Sequence, residues 1–152
     1  PYFGIGADVI VGFPGETETE FEQTRQLIET APFSYLHVFR YSARPGTKAA
    51  DMKPCHSETI TARSALLRTL SDAKKSAFEG GLIGHTLEAT VESDRPLPGW
   101  VHATTGNYAT VLVPDIWEQG DSVLVTPEGL RVGTLYANRV EHIARSIIEE
   151  NA

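Results

Sequence analysis

The spacing of apolar residues along this chain changes character midway, from blocks and helical repeats to strict alternation. Asp8–Val11 is apolar after its first residue, and such a run predicts a short strand covered on both faces, closed by a turn at Pro14-Gly15. Thr17 with Glu20 three residues on is a capping-box pattern; it predicts a helix carrying Phe21, Leu27 and Ile28 on one side and ending before Pro32. Tyr35–Phe39, rich in aromatic and β-branched residues, predicts a second strand, and strand–helix–strand implies a parallel βαβ unit. After the loop Tyr41–Thr47, Ser57 is expected to cap a long helix with Ile60, Leu67, Leu70 and Ala77 at near-helical spacing, stopped by Gly80-Gly81.

Beyond that glycine pair Leu87, Ala89 and Val91 alternate with Glu88, Thr90 and Glu92, a half-buried strand. Pro96 to Gly99 reads as a loop, and Asn107 to Val113 as a strand with Val111 and Val113 on one face and Leu112 on the other. Ser122–Thr126 and Leu130–Leu135 flank Glu128-Gly129, which predicts a hairpin turn there. Short strands at this spacing suggest a small antiparallel β-barrel, and Ile143 and Ile147 mark a terminal helix from Val140 to Glu149. The fold class is therefore α/β followed by all-β, with domains expected at 1–79, 82–137 and a helical tail at 138–152.

Composition narrows the setting. At 152 residues and 41% hydrophobic, the chain has material for one ordinary core or two small ones. No apolar run approaches the roughly 20 residues of a membrane span, and no signal-peptide pattern opens the chain. A single cysteine, Cys55, excludes an internal disulfide framework and fits a reducing compartment, so a soluble cytoplasmic protein is expected. Because the chain starts with Pro1 close to a strand, it reads as a fragment of something longer. The formal charge of −7 argues against indiscriminate nucleic-acid binding, which relies on neutralising phosphates.

Candidate chemistry concentrates where the first strand ends. Ligands of α/β folds sit beyond the C-terminal ends of strands, and Gly12 removes a side chain there so that a ligand can lie against the backbone. Glu16 is placed to accept hydrogen bonds from an amine or a ribose hydroxyl; equally, Gly12 and Gly15 shape a turn and Glu16 favours the helix dipole. Arg44, in a loop stiffened by Pro45, suits a phosphate or carboxylate contact, or else a surface salt bridge. His37 reads as a partly buried, hydrogen-bonded histidine. In the tail, Trp100, His102, Asn107 and Tyr108 suit stacking on, and hydrogen bonding to, an unpaired base, with core or rim aromatics as the alternative.

Three stretches carry a family resemblance. Asp8 to Glu18 (DVIVGFPGETE) is similar to a late-barrel segment of the radical-SAM methylthiotransferases, Tyr35 to Ala50 resembles that family's next strand and loop, and the β-rich tail with Thr105-Gly106-Asn107-Tyr108 resembles the TRAM module, an RNA-binding β-barrel. They occur in the family's order and cover most of the chain. The resemblance implies a partial TIM-like barrel up to residue 79 and a TRAM-like barrel over 82–137. It implies Asp8, Gly12 and Glu16 near S-adenosylmethionine, and Tyr41 and Arg44 near the substrate. Tyr41 to Thr47, with Arg44 where the ribosomal-protein-modifying branch usually has an acid, resembles the tRNA branch. Pro32 to Phe39 resembles members acting on N6-threonylcarbamoyladenosine beside the anticodon, which implies its 2-methylthiolation.

The chain departs from the family in its cysteines. The 4Fe–4S clusters of these enzymes need several thiolates, and only Cys55 is present, in no cluster motif. No catalytic residue and no metal ligand is therefore assigned on this chain, which is expected to be inactive alone and to depend on an N-terminal region of the same protein and on the anticodon stem-loop of tRNA. Arg40 also stands where relatives often have proline. Two other classes stay open: a ribosomal-protein methylthiotransferase or other radical-SAM fragment, and a non-enzymatic RNA-binding module.

Overall fold

The computed structural model describes residues 3–143, which fall into two compact units: Gly4–Phe78, and a second beginning at Glu79.

The front unit runs β1 (Gly6–Val11), α1 (Glu18–Thr30), β2 (Tyr35–Arg40) and α2 (Ser57–Gly80), with a short 3-10 turn at Lys48–Asp51. β1 and β2 pair in parallel as a two-stranded sheet, with Gly6 opposite Tyr35 and Val11 opposite Arg40. The Thr17 hydroxyl accepts from the Glu20 amide while the Glu20 carboxylate accepts from the Thr17 amide, so the expected capping box forms. Phe21 and Ile28 of α1 and Leu67 of α2 bury against Val11 and Leu36, with Ala7, Val9, Val38, Ile60 and Leu70 around them.

All of that packing falls on one face of the sheet. The other face presents Gly6, Asp8, Ile10, Tyr35, His37 and Phe39 in register, with Ile10 56% and Phe39 51% exposed. The expectation of a strand covered on both faces is thus corrected: both helices pack on the same side and no element of this unit lies over the other. For the same reason His37 is exposed, its ring edge-on to Tyr35, rather than partly buried. Leu27 and Ala77 point to solvent instead of the core, since the buried stripes pass through Phe21 and Ile28 on one helix and through Ser64, Leu67 and Ser71 on the other. Ser57 is the first residue of α2 rather than its cap, and the Ile60 amide donates to the His56 carbonyl.

The rear unit is a seven-stranded sheet: β3 (Leu87–Val91), β4 (Trp100–Thr105), β5 (Thr110–Pro114), β6 (Ser122–Val125), β7 (Gly129–Arg131), β8 (Thr134–Tyr136) and β9 (Val140–His142). The order is β7-β8-β5-β4-β3-β6-β9. Val91, Val101, Ala103, Val111, Val113, Val123, Val125 and Leu135 are its buried core.

This architecture corrects four expectations. The sheet is open, with no pairing between β7 and β9 among the described residues, and β5 pairs β8 in parallel, so it is not a closed antiparallel barrel. The tight hairpin is β7–β8, turning at Val132-Gly133 with both residues at positive φ (50° and 77°); β6 instead pairs β3 and β9. Asn107 to Ala109 belong to the β4–β5 turn rather than to the strand, while Leu112 does lie on the face opposite Val111 and Val113, in register with His102 and Tyr136. Val140–His142, expected as the start of a helix, is a strand because β6 offers a free edge there; Ile147 and the rest of that helix lie outside the described residues.

Candidate functional site

At the C-terminal ends of β1 and β2 lies a cavity of about 640 Å³ lined by Ile10, Phe13, Phe39, Arg40, Tyr41, Ser42, Arg44, Thr47 and Ala49. Its position follows from the strand polarity of a βαβ unit, whose ligand side is the strand ends. Tyr41 continues β2, its amide donating to the Val11 carbonyl at 2.9 Å, and its ring meets Phe13 edge-on at 5.4 Å. The Tyr41 hydroxyl is buried and unpaired among the described residues, a polar atom left without its hydrogen bond. Arg44 is exposed on a turn in which its carbonyl accepts from the Thr47 hydroxyl at 2.8 Å, and its guanidinium forms no ion pair among the described residues. Tyr41 and Arg44, which the resemblance sets together near the substrate, both line this cavity, with its aromatic wall and cationic rim.

Asp8, Gly12 and Glu16 do not line it. Asp8 sits mid-strand on the bare face, opposite His37. Gly12 adopts φ 76°, and a Cβ there would come within 2.4 Å of the Ile60 side chain, so the site demands glycine for backbone and packing reasons. The Glu16 carboxylate turns inward, accepting the Gly12 amide at 2.9 Å and the Arg63 guanidinium at 2.6 Å. Arg63, only 6% exposed, also bonds Glu18 at 2.8 Å and covers the Phe21 ring at 4.9 Å. Burial works against its charge, but the bonds to Glu18 and Glu16 outweigh it, so its pKa is raised. Cys55 adds a thiol donor to the Phe13 carbonyl at 3.3 Å. Gly12 to Glu16 is therefore a turn pinned from α2 and from the loop before it, with Phe13 held at the cavity. Sequence reading missed Arg63, which lies 47 residues from Glu16.

In the rear unit the four expected RNA contacts separate into two places. Trp100 and His102 share the outer face of β4, where the His102 Nδ1 lies 2.9 Å from Asp94. Asn107 and Tyr108 occupy the turn at the other end of that strand, roughly 17 Å away at a strand's rise per residue. There the Asn107 side-chain oxygen accepts from the Thr105 hydroxyl at 2.5 Å, and Tyr108 stands 75% exposed at φ 64°. The residues that do surround Trp100 are Arg131, 4.3 Å above its ring, and Tyr136, edge-on at 6.2 Å. Tyr136 escaped the sequence reading because the misplaced hairpin turn put it out of register with Arg131.

The front cavity suits a group with a planar part and an anionic part, set against its aromatic wall and its Arg44 rim. An iron–sulfur cluster does not fit this chain: Cys55 is its sole thiol, and no group of three or more His, Cys, Asp or Glu among the described residues is placed to hold a metal ion. No described helix is long and apolar enough to cross a membrane.

No family model matches the chain. Individual relatives do. It is 34% identical over 123 residues to the tRNA-2-methylthio-N(6)-dimethylallyladenosine synthase of Erythrobacter litoralis, a span of 80% of this chain and 26% of the relative. It is 41% identical over 98 residues to the threonylcarbamoyladenosine tRNA methylthiotransferase MtaB of Aquifex aeolicus (64% and 24%). With the tRNA-2-methylthio-N(6)-dimethylallyladenosine synthase of Cereibacter sphaeroides it shares 38% over 122 residues (80% and 28%). The chain spans about a quarter of the length of these curated relatives. Over 64–80% of its own length, it is homologous to the tRNA methylthiotransferases.

Proposed function

We propose that this chain is the C-terminal portion of a radical-SAM enzyme that adds a 2-methylthio group to N6-threonylcarbamoyladenosine beside the anticodon of tRNA. The observation that carries the reading is the cavity at the ends of β1 and β2, where Tyr41 and Arg44 converge on an aromatic wall, in a chain homologous to methylthiotransferases. On this reading the front unit supplies the last βα elements of the barrel and the rear sheet is a TRAM-like module that orients tRNA. The clusters and S-adenosylmethionine, held with the help of the remainder of the protein, supply the one-electron chemistry. This chain's residues bind and orient: Ile10, Phe13 and Tyr41 exclude water along one wall, Arg44 meets an anionic group of the substrate, and the Gly12–Glu16 turn fixes Phe13. The compartment is the cytoplasm, to which a chain with Cys55 as its single thiol is suited.

The decisive experiment expresses the full-length protein in a bacterial strain lacking 2-methylthio nucleosides and measures tRNA nucleosides by mass spectrometry. The expected product is the 2-methylthio derivative of threonylcarbamoyladenosine, with at least a tenfold loss on Arg44→Glu, of the order expected for removing a charged contact. The 2-methylthio derivative of N6-dimethylallyladenosine is the competing outcome, favoured by the longer alignments with the synthases named for it. Absence of both, or full tRNA activity of Arg44→Glu, overturns the assignment.

A further inference from the structure

We infer that the β7–β8–β5–β4 side of the rear sheet carries a seat for single-stranded RNA, in which Arg131 takes a phosphodiester and Trp100 offers its ring to the adjoining base. The inference rests on the tRNA reading and assigns residues to it. Strand register puts Arg131, Tyr136, Leu112, His102 and Trp100 on one face, because Arg131 lies opposite Thr134, Leu112 beside Tyr136, and Trp100 opposite Pro114. The guanidinium rests 4.3 Å from the Trp100 ring centre and 5.2 Å from that of Tyr136. Stacking of this kind holds a guanidinium flat while leaving its edge donors free.

Charge supports an anionic occupant. Arg95 is neutralised by Asp115 at 2.7 Å, whereas Arg131 has no carboxylate partner among the described residues, although the chain carries a net −7. Glu88 and Glu141 lie on the far side of this face, on β3 and β9, while Asp94 stands beside His102, so the Arg131 guanidinium is the point at which an anion attaches. A phosphodiester with a neighbouring base matches the pairing of a free cation with a planar ring, and an acidic peptide matches only the cation. A second observation lies next to Arg131: Val132, β-branched and 83% exposed, is held at φ 50° in the turn. Such a residue is strained there, and strain of this kind gathers at functional surfaces.

The test titrates the 152-residue chain with a fluorescently labelled anticodon stem-loop, following anisotropy and the quenching of tryptophan emission. Arg131→Gln and Trp100→Leu should each weaken binding by about tenfold, the scale of one stacked base or one charge-assisted contact. Arg131→Gln should also reduce the salt slope of log Kd by about one, and Arg131→Lys should restore the slope without the full affinity. If Trp100→Leu fails to fold, the exposed Arg131 variants decide alone. The proposal is overturned if Arg131→Gln and Arg131→Lys both match the parent, if an acidic peptide displaces the RNA as well as unlabelled RNA does, or if the parent chain binds no RNA. In that last case a methylthiolated nucleoside from the full-length protein still upholds the enzymatic reading, so the two fail separately.

Discussion

Single residues decide how the front cavity is held. Glu16 was readable as a turn residue at a helix start, and so was the glycine before it; the tie to Arg63 was not, because nothing local relates a position in α2 to a turn 47 residues earlier. Replacing Arg63 with methionine leaves the Glu16 carboxylate, 13% exposed, without its cation. Removing one partner of a buried pair typically costs about 3 kcal/mol. Urea denaturation of Arg63→Met should show a loss of that size, and Glu16→Gln in the same chain should recover part of it, since the stranded charge is gone. Equal stability of Arg63→Met and the parent would mean that the turn is held by its own geometry.

At the scale of elements, local chemistry was legible wherever it was self-contained. The α1 start was read from Thr17 and Glu20 because a capping box closes within four residues. The β7–β8 hairpin was misplaced because Glu128-Gly129 carries a turn signature, whereas the actual turn begins with Val132, a residue that disfavours positive φ. Helix α1 also has an acid limit. Glu22, hydrogen-bonded to Arg25 and Gln26, has its pKa lowered from 4.5 to about 2, and the capping bonds from Thr17 lower that of Glu20. A carboxylate depressed in the folded state stabilises above its unfolded pKa, and that contribution disappears as pH falls through the folded value. The α1 signal in far-ultraviolet circular dichroism should therefore weaken between about pH 4.5 and 2, and added salt should shrink the effect because these groups are exposed. A helix signal flat across that window would remove the charge pairs from the account.

For the molecule as a whole, apolar periodicity reports which residues are fit to be buried, and it is silent on whether a partner is present. That is why β1 read as covered on both faces while Ile10 and Phe39 stand half in solvent. The change of rhythm at Gly80-Gly81 was readable, since helix and strand periods differ; the order of seven strands was not, because long-range pairing leaves no local mark. Ile10→Thr with Phe39→Thr should raise the solubility of the 152-residue chain and leave its thermal midpoint nearly unchanged, as little buried area is lost. A large fall in the midpoint would show that the face is covered in solution.

The Ser71 hydroxyl bonds both the amide (2.9 Å) and the carbonyl (3.3 Å) of Leu36, on the edge of β2 away from β1. Helix α2 thereby occupies a position that an incoming strand would need, so a neighbour docking beside β2 meets a ladder already interrupted. A strand joining along β2 would have to displace those bonds at Leu36, whereas one joining along β1 would not, so extension of this sheet costs less on the β1 side.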